Sequence, residues 1–245
     1  MAFPFNSEDY SLAFSDDFDT LNLDKWQYGQ PWGQVHFQHP HQYYCDSAAI
    51  VKNGKLCLFN YYAPKEYRYK DSTYTIPYGV GCINSFYSFS SKYGYFAIRS
   101  KNPRGNATWP AFWLTGKYSW SPEIDIFEMY GACNGRYIHK QTMSLHYGSI
   151  QGGTKGSLTK SVQLSKDTDS KFHIYSCLWE QKKIRFFTDG ILVKTIRLNR
   201  WMRKYFNAEM YIIVNNAVDY NRLNCVNILE LPQKLEVDWV RVYTK

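Results

Sequence analysis

Six consecutive residues, Glu123-Ile124-Asp125-Ile126-Phe127-Glu128, set three carboxylates among three strand-forming apolar side chains. Acidic and apolar residues alternate over the first four positions, and successive side chains of a strand point to opposite faces. Glu123 and Asp125 therefore share one face, and Ile124 and Ile126 take the other. Glu128 stands five positions from Glu123, so a regular strand would send it to the apolar side. One extra residue at a β-bulge near Phe127 returns it, and bulges are enriched beside active sites. The segment thus predicts three acids converging on one strand face. Like charges spaced ~6–7 Å along a strand repel, and partial burial raises their pKa values. That costs stability and suggests a task. Glycoside hydrolysis needs one ionised and one protonated carboxyl, and a separation of about 5–5.5 Å gives the covalent, retaining route. The plain alternative is a solvated acidic face.

The rest of the chain reads as β-structure that could carry this strand. Asn53-Gly54 and Asp189-Gly190 are turn signals between strand-like runs and predict two hairpins. Further strands are expected over 79–89, 93–100, 141–147, 172–179, 210–218 and 235–243. In the last of these, polar and apolar residues mix on both faces, and alternation does not say which is buried. Residues 27–45, 62–77 and 148–166 read as loops, and 199–206 as one short helix. About a dozen strands with almost no helical periodicity predict an all-β fold, two antiparallel sheets in a sandwich. No linker or repeat interrupts residues 1–245, so one domain is expected.

Composition narrows the function. Aromatic residues make up 18% of the 245 residues, with 22 Tyr and 8 Trp, which suits both strand packing and stacking on sugar rings. The net charge of +8 comes from scattered Lys and Arg. No nucleic-acid motif accompanies them. An anionic polysaccharide would also fit, although ordinary solubility charge is the simpler account. The six cysteines (Cys45, Cys57, Cys82, Cys133, Cys177 and Cys225) show no CxxC spacing, which argues against zinc. An even count permits disulfides, but a buried thiol is the simpler reading where Cys57 and Cys177 sit in strands. His36, His39 and His41 lie in a Pro-containing loop whose spacing fixes no metal geometry. No apolar run reaches membrane-spanning length and no signal peptide is visible. This leaves a cytoplasmic chain or a mature one.

Several motifs in order resemble glycoside hydrolase family 16. Phe14-Ser15-Asp16-Asp17-Phe18-Asp19 with Leu23-Asp24-Lys25-Trp26 is similar to the family's opening. Tyr93-Gly94-Tyr95-Phe96, then Trp109-Pro110-Ala111-Phe112-Trp113-Leu114, resembles the strand pair before its active strand. Phe172-His173 through Trp179, Phe186 to Gly190, and Val237-Asp238-Trp239-Val240-Arg241-Val242-Tyr243 resemble its later strands. The resemblance implies a concanavalin-like β-jelly roll of two curved antiparallel sheets with a sugar cleft. The family's active strand occurs with and without the bulge, and this chain has the longer form.

By that resemblance Glu123 is the nucleophile, Glu128 the general acid/base, and Asp125 the residue that orients and tunes them. The negative neighbours are expected to raise the pKa of Glu128. Trp109 and Trp113 are expected as sugar-stacking residues, one of them with a core role instead. His146 matches a family histidine near the acid/base, with a structural histidine as the rival reading. Trp32, Asn215 (or Asn216) and Tyr130 are further subsite candidates. The implied activity is endo-cleavage of a β-galactan-type or β-1,3/1,4-glucan polysaccharide. A non-catalytic carbohydrate-binding protein on the same fold is the alternative. No catalytic cofactor is implied. A structural Ca2+ is common on such folds, but no ligand cluster in the sequence locates one. A monomer is expected, extracellular, cell-surface or periplasmic, with its signal peptide outside this sequence. Pro122 stands where laminarinases have Gly, and the loops match no subgroup. The sequon Asn106-Ala107-Thr108 abuts Trp109 and is read as unused.

Overall fold

A computed structural model describes residues 4, 6–36, 40–133, 139–149, 154–164 and 168–245. Alternation and turn chemistry generate its strands in order. β1 (Ser11–Asp16), β2 (Gln27–Tyr28), β3 (Gln42–Tyr44) and β4 (Ala49–Val51) are short. β5 (Leu56–Tyr69) and β6 (Ser72–Val80) form a long hairpin, and β7 (Cys82–Asn84) follows. β8 (Gly94–Lys101), β9 (Thr108–Gly116) and β10 (Glu123–Glu128) come next, then β11 (Lys140–Ser149) and β12 (Thr154–Gln163). β13 (His173–Glu180), β14 (Lys183–Thr188) and β15 (Ile191–Arg197) precede the single short helix α1 (Met202–Tyr205). β16 (Met210–Val218) and β17 (Gln233–Thr244) complete the fold.

The strands make two sheets. One has the order β15-β14-β13-β8-β17-β5-β6-β3, with β1 on β17 and β4 on β5. The other, of seven strands, runs β12-β11-β10-β9-β16-β7-β2 and so places the acidic strand near its middle. One apolar cluster fills the space between them and draws on both, including Phe96, Ile98, Phe112, Ile124, Trp179, Val214 and Val240. The expected sandwich is observed. Among the described strands every pairing is antiparallel except that of β3 with β6, which is parallel.

Two expected loops are strands. Residues 62–77 belong to the β5–β6 hairpin, which turns at Lys70 in a positive-φ conformation (54°). Its exposed part is polar and tyrosine-rich on both faces, so no apolar alternation marks it. Much of 148–166 is β12, paired with β11 from Thr154 to Gln163. Its only apolar signal is Leu158 and Val162, which pack at the margin of the core. Gly156 faces Tyr147 across this pair, and a β-carbon there would stand 2.4 Å from the ring. The ambiguous last strand is also explained. The β17–β8 register shifts between Val237 and Trp239, so Leu235, Val237, Val240 and Val242 all reach the core while Asp238 turns outward.

The even cysteine count left disulfides open, and one is present. Cys133 and Cys225 form a disulfide across 92 residues with Cα atoms 5.2 Å apart. Spacing cannot reveal such a pair, because β10 to β16 must fold before the two ends meet. Cys57 and Cys177 are buried thiols, as expected; Cys82 is a third, and Cys45 is half-buried.

Candidate active site

The bulge in β10 is present where the acid spacing required it. Against β9, Asp125 pairs with Trp113 and Phe127 with Phe112, so two steps on β10 match one on β9. Against β11, Asp125 pairs with Ser144 and Glu128 with Thr142. Ile124, Ile126 and Phe127 are all fully buried in the core. Two consecutive residues thus point inward, and Glu128 rejoins Glu123 and Asp125 on the outer face of the seven-stranded sheet. All three line one cavity of about 170 Å³, with Trp109, Trp113 and Asn215. An adjoining cavity of about 370 Å³ is lined by Trp32, His36, Trp113, Trp120 and Glu123. The two share Trp113 and Glu123, so together they form one cleft running past the acids.

Hydrogen bonds assign each acid a distinct environment. Trp120 Nε1 donates to Glu123 Oε2 at 2.6 Å. Trp109 Nε1 donates to Glu128 Oε1 at 2.9 Å, and the Tyr130 hydroxyl to the same oxygen at 3.3 Å. Ser144 Oγ donates to Glu128 Oε2 at 3.3 Å. His146, opposite Glu123 in register, places Nε2 3.3 Å from Asp125 Oδ2 and 3.7 Å from Glu123 Oε1.

Burial dominates the electrostatics. It lifts Glu123 to about 8, aided by the charge of Asp125 and opposed by His146 and the Trp120 N–H. Burial, then the charge of Glu128, holds Asp125 well above the usual carboxylate range. Glu128 is also raised, by burial, while the Trp109, Ser144 and Tyr130 donors and His146 pull it back. Burial is the first cause of its rise, and repulsion among the three acids, mutual by nature, keeps the trio from ionising together. Three buried carboxyls so close together hold protons in common near neutral pH. Burial and the Glu128 charge also push the Tyr130 phenol up, so it remains a donor.

The other expected residues fall as follows. Trp109 and Trp113 are both half-buried in the cleft wall, and Trp113 also packs against the buried cluster of Cys82, Tyr211 and Ile213. Trp113 Nε1 donates to Asn215 Oδ1 at 2.8 Å. Asn215 is thus the cleft residue. Asn216 is fully buried and donates to the carbonyls of Leu58 and Gln233. Trp32 is 52% exposed, and its ring centroid lies 6.4 Å from that of Trp113. Tyr130 does more than rim the cleft, since it stacks on Trp109 at 5.7 Å besides bonding Glu128. His146 stands nearest Asp125 and Glu123, and its charge also acts on Glu128, which the bulge sets opposite Thr142. His41 Nε2 lies 3.0 Å from the Val218 carbonyl, His36 lines the Trp32 side of the cleft, and His39 lies outside the described residues. Asn106 Nδ2 contacts Glu230 at 3.4 Å.

Trp120 and Ser144 were not singled out from sequence. Trp120 sits three residues before Glu123, but nothing in that spacing shows the indole turning back to the carboxylate. Ser144 shares a face with His146 by simple alternation, and that signal was legible. Among the described residues, the one set of three grouped potential metal ligands is Glu123, Asp125 and His146, with donor atoms within 4.8 Å. An imidazole does not suit calcium, which takes oxygen ligands. The set therefore does not locate a structural Ca2+.

The model of glycosyl hydrolases family 16 matches residues 51–241, and the chain belongs to that family. It is 29% identical to a beta-glucanase of Rhodothermus marinus, over 96% of this chain and 85% of that protein. It is 26% identical to a keratan-sulfate endo-1,4-beta-galactosidase of Sphingobacterium multivorum, over 96% of this chain and 55% of that one. Of other curated relatives it spans as little as 34% of the length. The laminarinase catalytic domain of Thermotoga maritima superposes with a TM-score of 0.78 at 25% identity, covering 97% of this chain and 99% of that one.

Proposed function

We propose that residues 1–245 act as one catalytic unit, an endo-acting retaining β-glycanase that cleaves internal β-linkages of a glucan or galactan. The observation that carries this reading is the bulge that returns Glu128 to the face of Glu123 and Asp125, inside a tryptophan-walled cleft. Glu123 attacks the anomeric carbon while Glu128 gives its proton to the departing glycosidic oxygen. A water then attacks the same carbon, Glu128 takes the water's proton, and the bond to Glu123 breaks. His146 and the Trp120 N–H favour the ionised form of Glu123 within the proton-sharing trio. The three donors on Glu128 stabilise the carboxylate left after its proton is delivered. Asp125, between them, exchanges proton and charge with both. Trp113 and Trp32 offer aromatic surface to sugar rings.

No helix among the described residues is long and apolar enough to cross a membrane. The Cys133–Cys225 disulfide supports an oxidising, extracellular or periplasmic setting. The test is release of reducing ends from laminarin, lichenan, agarose, carrageenan and keratan-type glycans, read by product size. Glu123→Gln and Glu128→Gln should each lose at least 10³-fold in kcat on the glycan that wild type cleaves. Wild-type binding without hydrolysis of any of them would favour the carbohydrate-binding alternative. An inverted anomeric centre in the first product would exclude Glu123 as nucleophile.

A further inference from the structure

On the outer face of the ten-stranded sheet, across the sandwich from the acids, lies a groove of about 810 Å³. It is built by register. Lys101 on β8 stands opposite Glu236 on β17, and Lys234 stands opposite Phe59 on β5. Two of the three acids in or beside it are each shared by two cations. Glu236 takes Lys101 at 2.6 Å and Lys234 at 3.1 Å. Asp238 takes Lys55 at 2.7 Å and also Arg99. These partners hold both carboxyls below the usual range, against the opposing effect of burial. Phe172 gathers Lys55, Arg99 and Lys101 around its ring, with the charged groups 4.9–5.5 Å from the centroid. Exposed Lys52 and Arg104 stand at the margin, the latter 3.5 Å from Asp169.

Six cations against three carboxylates leave the groove with a net positive charge. The sheet also holds them in place: strand register, shared acids and the Phe172 ring order side chains that would otherwise be mobile. The preorganised cations suit a ligand with several regularly spaced anionic groups. Two aromatic rings, Phe59 and Phe172, line the groove, and three cations already surround Phe172, so no run of free rings offers successive bases a platform. From these features we infer that the groove is a second, non-catalytic binding site for an anionic polysaccharide, sulfated or uronate-bearing. It would hold polymer on one sheet while the cleft on the other works. The tethering role rests on the glycanase reading; the binding site itself does not.

The test is Lys52→Glu/Arg104→Glu, at exposed positions away from the cleft, made in the Glu123→Gln background. Retardation in gels containing heparin or dextran sulfate should weaken at least fivefold. The slope of log affinity against log salt should fall by about 2. Lys52→Arg/Arg104→Lys should bind heparin as the parent does, and retardation by neutral laminarin should not change. Unchanged heparin binding, or an equal loss of laminarin binding, would overturn the proposal. So would retention of poly(dT) as strong as that of heparin, which would mark a general polyanion surface. In the catalytically intact chain the charge-reversed variant should cleave neutral oligosaccharides at the wild-type rate. If wild type cleaves nothing, the glycanase reading fails while the binding result stands by itself.

Discussion

Glu123→Gln should stabilise the folded chain at alkaline pH while removing its activity. The folded state lifts this carboxyl from 4.5 to about 8. Between those values the folded chain binds more protons than the unfolded chain, so stability falls as pH rises. At 1.36 kcal/mol per pH unit the full displacement corresponds to about 5 kcal/mol. The side chain is 16% exposed. Water, together with proton exchange with Asp125 and Glu128, reduces the gain to about 2 kcal/mol at pH 8. Glutamine keeps an oxygen for the Trp120 N–H, so little packing is lost. Urea unfolding monitored by tryptophan fluorescence at about pH 4.5 and pH 8 measures the difference. The variant should be more stable by about 2 kcal/mol at pH 8, or about 4–8 °C in melting temperature, and within about 0.5 kcal/mol of wild type at pH 4.5. Equal stabilisation at both pH values would refute the reasoning, and so would destabilisation at pH 8.

His146→Asn removes the group that favours ionised Glu123, so the acidic limb of kcat/KM should move up by about 0.5–1 pH unit. A pH–rate profile decides it, and an unmoved limb would leave His146 a structural role. Zn2+ should inhibit by occupying Glu123, Asp125 and His146, and EDTA should restore activity without lowering that of untreated enzyme. Inhibition undiminished in His146→Asn would count against that site. Cys133→Ser/Cys225→Ser opens a 92-residue link and should cost about 2–4 kcal/mol in urea unfolding.

The sandwich was legible because its core strands alternate and two of its hairpins carry Asn-Gly and Asp-Gly turns. The strands that escaped, in the β5–β6 hairpin and β12, bury little apolar surface and are held by backbone pairing that leaves a weak trace in side-chain pattern. The three acids were legible because their spacing breaks the strand period in a way only a bulge repairs. Their partners were less so. The place of Trp120, the contact of Ser144 with Glu128 and the neighbours of His146 depend on cross-strand register and a returning loop, which are set by the whole sheet. The Cys133–Cys225 bond is non-local for the same reason.

The irregularities of β17 and β10 announced themselves as failures of alternation. In β17 the shift at Asp238 turns an acid outward to anchor Lys55 and Arg99. In β10 it returns Glu128 to the cleft. If the β10 bulge serves chiefly to restore parity, a strand one residue shorter should work without it. Deleting Ile126 leaves four steps between the two glutamates, so a regular strand places all three acids outward and keeps Phe127 inward. The deletion removes one fully buried isoleucine, a loss of about 2–5 kcal/mol. A chain that folds by circular dichroism and retains detectable hydrolysis would confine the bulge to parity. A folded but inactive chain would refute this, and would mean that the bulge sets the distance between Glu123 and Glu128 as well as the face they share.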